Sequence, residues 1–306
     1  MDYSILVAQA INGLQLGVLL FLLASGLTLT FGIMDLVNLS HASFYMLGAF
    51  ICASLTLWTG SFLLSVALAI LITGLVALVV ELGLVRRLYT LPHLDQVLAT
   101  FGMILCFDTL VHIFWGPAGI VMPLPAWLNG QMSLGEIVLP VYRLLIIAVG
   151  LVVAVLLYIL VSHTRTGMLI RAGASNRTMV SALGVDIKLL FSGVFVAGSV
   201  CAGLAGMMIA PITEASIGMG NEIIITAFVV VIIGGIGSIK GAFVAALLIG
   251  MIDTLGRAYL DTVFAAFMAT ETAETAAPAV SAMLIYLLMA VILAVRPQGL
   301  FPPRLR

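Results

Sequence analysis

Asp108 and His112 stand four residues apart in LCFDTLVHIFW, a carboxylate and an imidazole on one helix face within an otherwise apolar run. Ionisable groups inside such a run are functional candidates by default, because a proton or a cation can be passed between them. They can equally be two structural neighbours that bond each other between helices. A second polar group, Asp35, Asn38, Ser40 and His41 in GIMDLVNLSH, follows the first apolar run. It can interrupt a helix and expose backbone groups to a cavity near an inner gate, or form an interfacial connection in which Asp35 caps a helix start. Asp253 precedes Arg257 by four residues, the spacing of an intrahelical ion pair. Glu81 lies just before Arg86 and Arg87, and no mechanism attaches to it from sequence.

The elements that must position these residues follow from composition. With 63% hydrophobic and 8% charged residues, against a soluble norm near ~25% charged, the chain cannot cover a water-facing surface. An all-α, polytopic integral membrane protein is expected, because the long unbroken apolar runs fit helices rather than the short alternation of a membrane barrel. Cys52, Cys106 and Cys201 lie in apolar runs without metal-ligand or CxxC spacing, and read as small core residues. Asp2 and Tyr3 precede the first run, so no cationic leader is expected. HExxH, GxSxG and TVGYG are missing, and no catalytic residue, metal or cofactor is assigned. GGIGSIKG resembles a phosphate loop only superficially, since Lys240 is preceded by Ile239 and followed by Gly241. The chain is not expected to bind ATP itself.

Nine spans are predicted, with an uncertainty of about one or two, near residues 5–31, 41–58, 61–83, 97–115, 143–162, 189–211, 223–238, 241–257 and 279–296. They form one transmembrane domain over 1–306. Broken or re-entrant helices are candidates around Gly32–His41 and Gly234–Gly241, and the span at 223–238 is the weakest. Gly234, Gly235 and Gly237 suit a tight turn with close helix contact, while Gly198, Ala202 and Gly206 form a small-residue packing stripe. Nine spans put Arg86 and Arg87, the stretch from Arg165 to Lys188, and Arg296, Arg304 and Arg306 on one side. The positive-inside rule makes that side cytoplasmic, with the N-terminus outside and the C-terminus inside. The opposite face receives the stretch from Gly116 to Tyr142 and the segment around Asp261, Glu271 and Glu274.

Between His163 and Lys188 the chain turns polar and carries four of its twelve Lys and Arg residues. Ser175 can cap a short helix from Asn176 through Arg177, Met179, Ala182 and Leu183, with Gly184 in the left-handed position that ends it. So short a helix is marginal in water and must dock on something. Lipid headgroups are one possibility. A groove in a cytosolic partner, filled by Met179, Ala182 and Leu183, is the other.

The chain resembles the permease subunits of ATP-binding-cassette importers for branched-chain amino acids. The resemblance covers nearly the whole length: NGLQLGVLLFLLASGLTLTFGIMDLVNLSHASFYMLGAF at Asn12 to Phe50, RTGMLIRAGASNRTMVSALGVDI at Arg165 to Ile187, AGLAGMMIAP at Ala202 to Pro211, FVVVIIGGIGSIKGAFVAALLIG at Phe228 to Gly250, and RPQGLFP at Arg296 to Pro302. Ala42 departs from the Gly that many relatives carry after the His, and the polar block lacks the Glu-Ala-Ala signature of the other major importer group. The resemblance implies a bacterial inner-membrane subunit working with a second related permease, two cytosolic ATPase subunits and a periplasmic substrate-binding protein. It also implies an amino-acid substrate and a coupling role for the helix ending at Gly184. No nucleic-acid partner is expected. A gradient-driven secondary transporter using Asp108, His112 or Asp253 is the alternative. Branched-chain amino acids are the expected substrates, with other hydrophobic amino acids, urea or short amides handled by some relatives.

Overall fold

The structure, a computed structural model, describes residues 3–134, 137–267 and 270–301. Asp2, Arg304 and Arg306 lie outside the described residues, as do Pro302 of the tail motif and the side chains of Arg177, Asp261, Glu271 and Glu274. The helices are α1 (Tyr3–Met34), α2 (His41–Thr59), α3 (Phe62–Val80), a π-helical turn (Glu81–Val85), α4 (Arg86–Leu88), α5 (His93–Trp115), α6 (Val141–His163), α7 (Arg165–Ser175), α8 (Arg177–Ala182), α9 (Ile187–Thr213), α10 (Met219–Gly234), α11 (Ile239–Ala265) and α12 (Thr270–Val295). A small antiparallel hairpin, β1 (Gln131–Leu134) and β2 (Ile137–Pro140), precedes α6.

Each of the nine expected spans contains a helix, and among the described residues eight of these are long and apolar enough to cross a membrane. The exception is α10, whose 16 residues rise ~24 Å at 1.5 Å each, short of the ~30 Å hydrocarbon layer. It also starts four residues before its expected position. Gly235, at φ 100°, ends the helix where the apolar run continues, and the polar Asn221 and Glu222 sit inside its first turns.

Burial sorts the helices into two layers. The most apolar 18-residue window of α1 is 83% buried and those of α2 and α9 are 72% buried, whereas α12 reaches 11% and α6 17%. Of the little-buried helices, α3, α6 and α12 are the more uniformly apolar, because lipid tails accept Leu, Ile and Val as readily as a protein core does. The inner ones carry Ser, Thr and Gly, which let backbones meet. A methyl group added to Gly26 of α1 would run into the backbone of Gly198 in α9, and one on Gly48 of α2 into Gly203. Gly206 faces the Tyr45 carbonyl, and Gly17 would meet the Leu247 Cα of α11 at 2.8 Å. Ala202 is fully buried in the same α9 face. Gly234 packs on Gly241 across the α10–α11 turn, and Gly237, at φ 83°, lies against Gly32.

Several contacts place the three basic connections at one end of the bundle. Leu300 and Phe301 donate backbone N–H groups to Ile233 and Gly234, at 2.8 and 3.1 Å. The end of α1 meets the α10–α11 turn at Gly32 and Gly237. Glu81, at the end of α3, accepts from Ser192 at the start of α9 at 2.8 Å. At the other end, Ile120 and Ala215 exchange backbone bonds of 2.8 and 3.0 Å, tying the loop after α5 to the α9–α10 connection.

Gly26→Ala is expected to destabilise the folded protein by ~1–3 kcal/mol through overpacking. Gly102→Ala, where a methyl would meet nothing within 4 Å, is expected to be neutral or stabilising by up to ~1 kcal/mol. Unfolding in detergent followed by tryptophan fluorescence distinguishes the two.

Candidate functional site

The first polar group lies where the chain leaves α1. Asp35 adopts φ 51° and stands exposed, its carboxylate 3.8 Å from His93 Nε2. It caps no helix: Ser40 is the residue preceding α2. Breaking the helix here frees backbone donors that α5 takes up. Val37 N–H donates to Gln96 Oε1 at 3.1 Å, and Leu39 N–H to Thr100 Oγ1 at 3.2 Å. Such compensation is what permits non-helical backbone at membrane depth. Gln96 and Thr100 were not singled out in the sequence, although two polar residues one turn apart in an apolar helix were the available signal. Asn38 is fully buried and its Oδ1 accepts from Ser40 Oγ at 2.7 Å. His41 is fully buried beside the Leu23 carbonyl, and neither ring nitrogen has a hydrogen-bond partner of ordinary geometry.

Glu81, to which no mechanism attaches from sequence, is a hub. Its buried carboxylate accepts from Tyr89 Oη at 2.7 Å, Ser192 Oγ at 2.8 Å and Arg86 Nε at 3.3 Å. Arg86 Nη2 reaches the same serine at 2.7 Å. The π-helical turn at Glu81–Val85 adds a residue to the helical turn, and Glu81 and Arg86 meet across a separation of five. Burial, reinforced by the Glu81 carboxylate, pushes the Tyr89 phenol up.

The polar segment between α6 and α9 is two helices rather than one. Thr164 caps α7, its Oγ1 accepting from Gly167 N–H at 3.0 Å. Ser175 is the last residue of α7 and not the cap of the next helix; the extended residue Asn176 is, its Oδ1 accepting from Met179 N–H at 2.9 Å. The register differs by one because α7 runs on through Ser175. Gly184 closes the segment at φ 84°, and Asp186 caps α9 through bonds to Lys188 and Leu189. On α8, Val180 turns into the bundle at 6% exposure, while Met179 and Leu183 are 59% and 76% exposed and Ala182 is exposed as well.

At the far end, Asp108 and His112 do not pair. Asp108 accepts from Asn221 Nδ2 of α10 at 2.9 Å, and the His112 side chain is exposed in the last turn of α5. Asp253 does bond Arg257, Oδ1 accepting from Nε at 3.0 Å. That pair lines a cavity of about 380 Å³ among α1, α2, α9, α10, α11 and α12.

An inner layer of glycine-packed helices, with eight helices among the described residues long and apolar enough to cross a membrane, defines a polytopic helical membrane protein. A sequence model of the family described as "Branched-chain amino acid transport system / permease component" matches residues 9–293. The chain belongs to this family. It is 28% identical over 273 residues to the high-affinity branched-chain amino acid transport system permease protein LivH of Escherichia coli (strain K12), covering 83% of this chain and 87% of that one. It is 29% identical to BraD of Pseudomonas aeruginosa, the permease protein of the same named system, over 81% and 85% of the two chains. To a probable LivH of Methanocaldococcus jannaschii it is 26% identical, over 80% and 79%. No solved structure matches.

Removing the Glu81 hub tests its structural weight. Glu81→Ala leaves Arg86, Tyr89 and Ser192 without their shared acceptor and is expected to cost ~3 kcal/mol, at the low end for a broken buried pair because Arg86 is partly solvated. Glu81→Gln keeps some acceptor capacity and should lose less. Thermal unfolding of both variants in one detergent provides the comparison.

Proposed function

We propose that this chain is the transmembrane permease subunit of an ABC importer that carries branched-chain amino acids across a bacterial inner membrane. In this reading it is not an enzyme: partner ATPase subunits hydrolyse ATP, a second related permease completes the channel, and a periplasmic protein delivers the substrate. The family match and the names of the relatives support the transport class and the substrate. The end bearing Arg86, Arg87, α7, α8 and Arg296 is then cytoplasmic, the N-terminus periplasmic and the C-terminus cytoplasmic.

One observation carries the coupling role. Helix α8 has six residues, too few to be stable alone, yet it is capped at both ends and turns Met179, Ala182 and Leu183 away from the bundle. An exposed apolar triplet on a preformed turn suits insertion into a groove of another chain. Val180 holds the helix to its own protein. Downstream, Asp186 joins it directly to α9, and a 27-residue helix spans ~40 Å, so displacement of α8 is delivered to the core of the membrane domain. The gradient-driven alternative draws no support from Asp108 and His112, which do not meet.

Leu183→Asp and Arg177→Glu are each expected to leave the protein in the membrane while reducing co-purification of the ATPase subunits and ATP-dependent uptake at least tenfold. Burying an unpaired carboxylate at position 183 in such an interface costs more than the ~1.4 kcal/mol that a tenfold loss requires, and Arg177→Glu reverses a charge on the same short helix. Wild-type recruitment and uptake in both variants would place the contact elsewhere.

A further inference from the structure

The cavity at the end of the bundle remote from α8 has a chemistry that the coupling role does not use. Its walls come from α9, α10, α11 and α12, closed by Leu16 and Leu20 of α1 and Tyr45 of α2. Carboxylates stand on two of its sides: Glu222 in the first turn of α10 and Asp253 on α11. A cation, Arg257, stands one turn beyond Asp253. Between them lies an aliphatic surface that includes Leu16, Leu20, Ile249 and Ile285. Charges of both signs are costly to keep within a spanning bundle and mark substrate pathways there.

The two carboxylates are not equivalent. Asp253 is 13% exposed at its side chain and bonds the Arg257 Nε, while the Arg257 side chain is 57% exposed. Asp253 thus fixes the direction of a guanidinium that lines the cavity and remains more than half exposed. Glu222 joins no ion pair among the described residues, and does not close on Arg257. A positive and a negative group held apart in one pocket complement a molecule bearing both charges. The volume falls at the lower end of the ~300–1,000 Å³ range of small-molecule sites.

We propose that this cavity is a binding subsite for a zwitterionic α-amino acid with an aliphatic side chain, its carboxylate on Arg257, its ammonium on Glu222 and its side chain against Leu16, Leu20, Ile249 and Ile285. Asp253 is a positioning residue that acts through Arg257. The assignment rests on the importer reading and makes the permease itself read both backbone charges, in addition to whatever the delivering protein selects. A planar guanidinium suits a carboxylate because it can donate two parallel hydrogen bonds.

The test uses the assembled transporter, with both permeases, ATPase subunits and binding protein, in proteoliposomes, assayed for ATP-driven leucine uptake. Glu222→Gln and Arg257→Gln are each expected to raise the leucine KM at least tenfold with the complex still co-purifying. Glu222→Asp and Arg257→Lys should recover part of the loss, which separates ligand contact from a folding defect. Competition supplies a second readout. Excess 3-methylbutylamine, which lacks the carboxylate, and 4-methyl-2-oxopentanoate, which lacks the ammonium, should each inhibit wild-type uptake at least tenfold more weakly than isoleucine. A leucine KM within twofold of wild type in both Gln variants, or equal inhibition by all three compounds, overturns the subsite while leaving the importer reading intact. Wild-type uptake that proceeds without ATP overturns the importer reading itself.

Discussion

At Gly26 and Gly198, helices α1 and α9 touch backbone to backbone, and the same contact is repeated at Gly48 with Gly203 and at Gly32 with Gly237. Within lipid the hydrophobic effect gives little reason for one helix to prefer another over an acyl chain, so association depends on how closely backbones approach. A single methyl on Gly26, Gly48 or Gly32 would collide with backbone that cannot rotate away. The inner layer of α1, α2, α9 and α11 is therefore held by positions with no side chain, and α1 is its axis. The outer helices, whose large apolar residues face outward, add breadth rather than specificity.

That closeness creates an obligation elsewhere. Where the chain leaves α1 and where it turns from α10 into α11, backbone is unwound against the bundle, and the two connections abut at Gly32 and Gly237. Their polar groups are answered locally: Gln96 and Thr100 accept from Val37 and Leu39, and Gly234 accepts from Phe301. Glu81 does the equivalent for side chains, joining the end of α3 to the start of α9 through Ser192. Helix α9 consequently has a polar clamp and the short helix α8 near one end, glycine contacts along its middle, and the cavity wall at Thr213 near the other. With those three attachments, α9 runs from the proposed coupling surface to the proposed subsite.

The class of protein, its helical content, the approximate place of each span and the two glycine-bearing connections were legible in the sequence, although α11 runs to Ala265 and α12 begins at Thr270, well beyond the expected bounds. Hydropathy over twenty residues and glycine at turns are local quantities. The cap of α8 was misplaced by one residue, because Ser175 and Asn176 are both competent caps and only the continuation of α7 decides between them. Asp253 with Arg257 was legible because an i,i+4 pair is set by the helix itself. Asp108 with His112 has the same spacing, yet Asp108 is drawn to Asn221 on another helix, a partner that no spacing rule can supply.

Sequence alone thus determined what crosses the membrane, since the bilayer selects on composition segment by segment. Tertiary structure decided which polar residues meet. Glu81 reaches a serine 111 positions away, and Glu222 shares a cavity with Arg257 although they lie on different helices. Such encounters depend on how helices are rotated and offset against one another, and that is fixed by close packing at a few glycines rather than by any property carried within a single span.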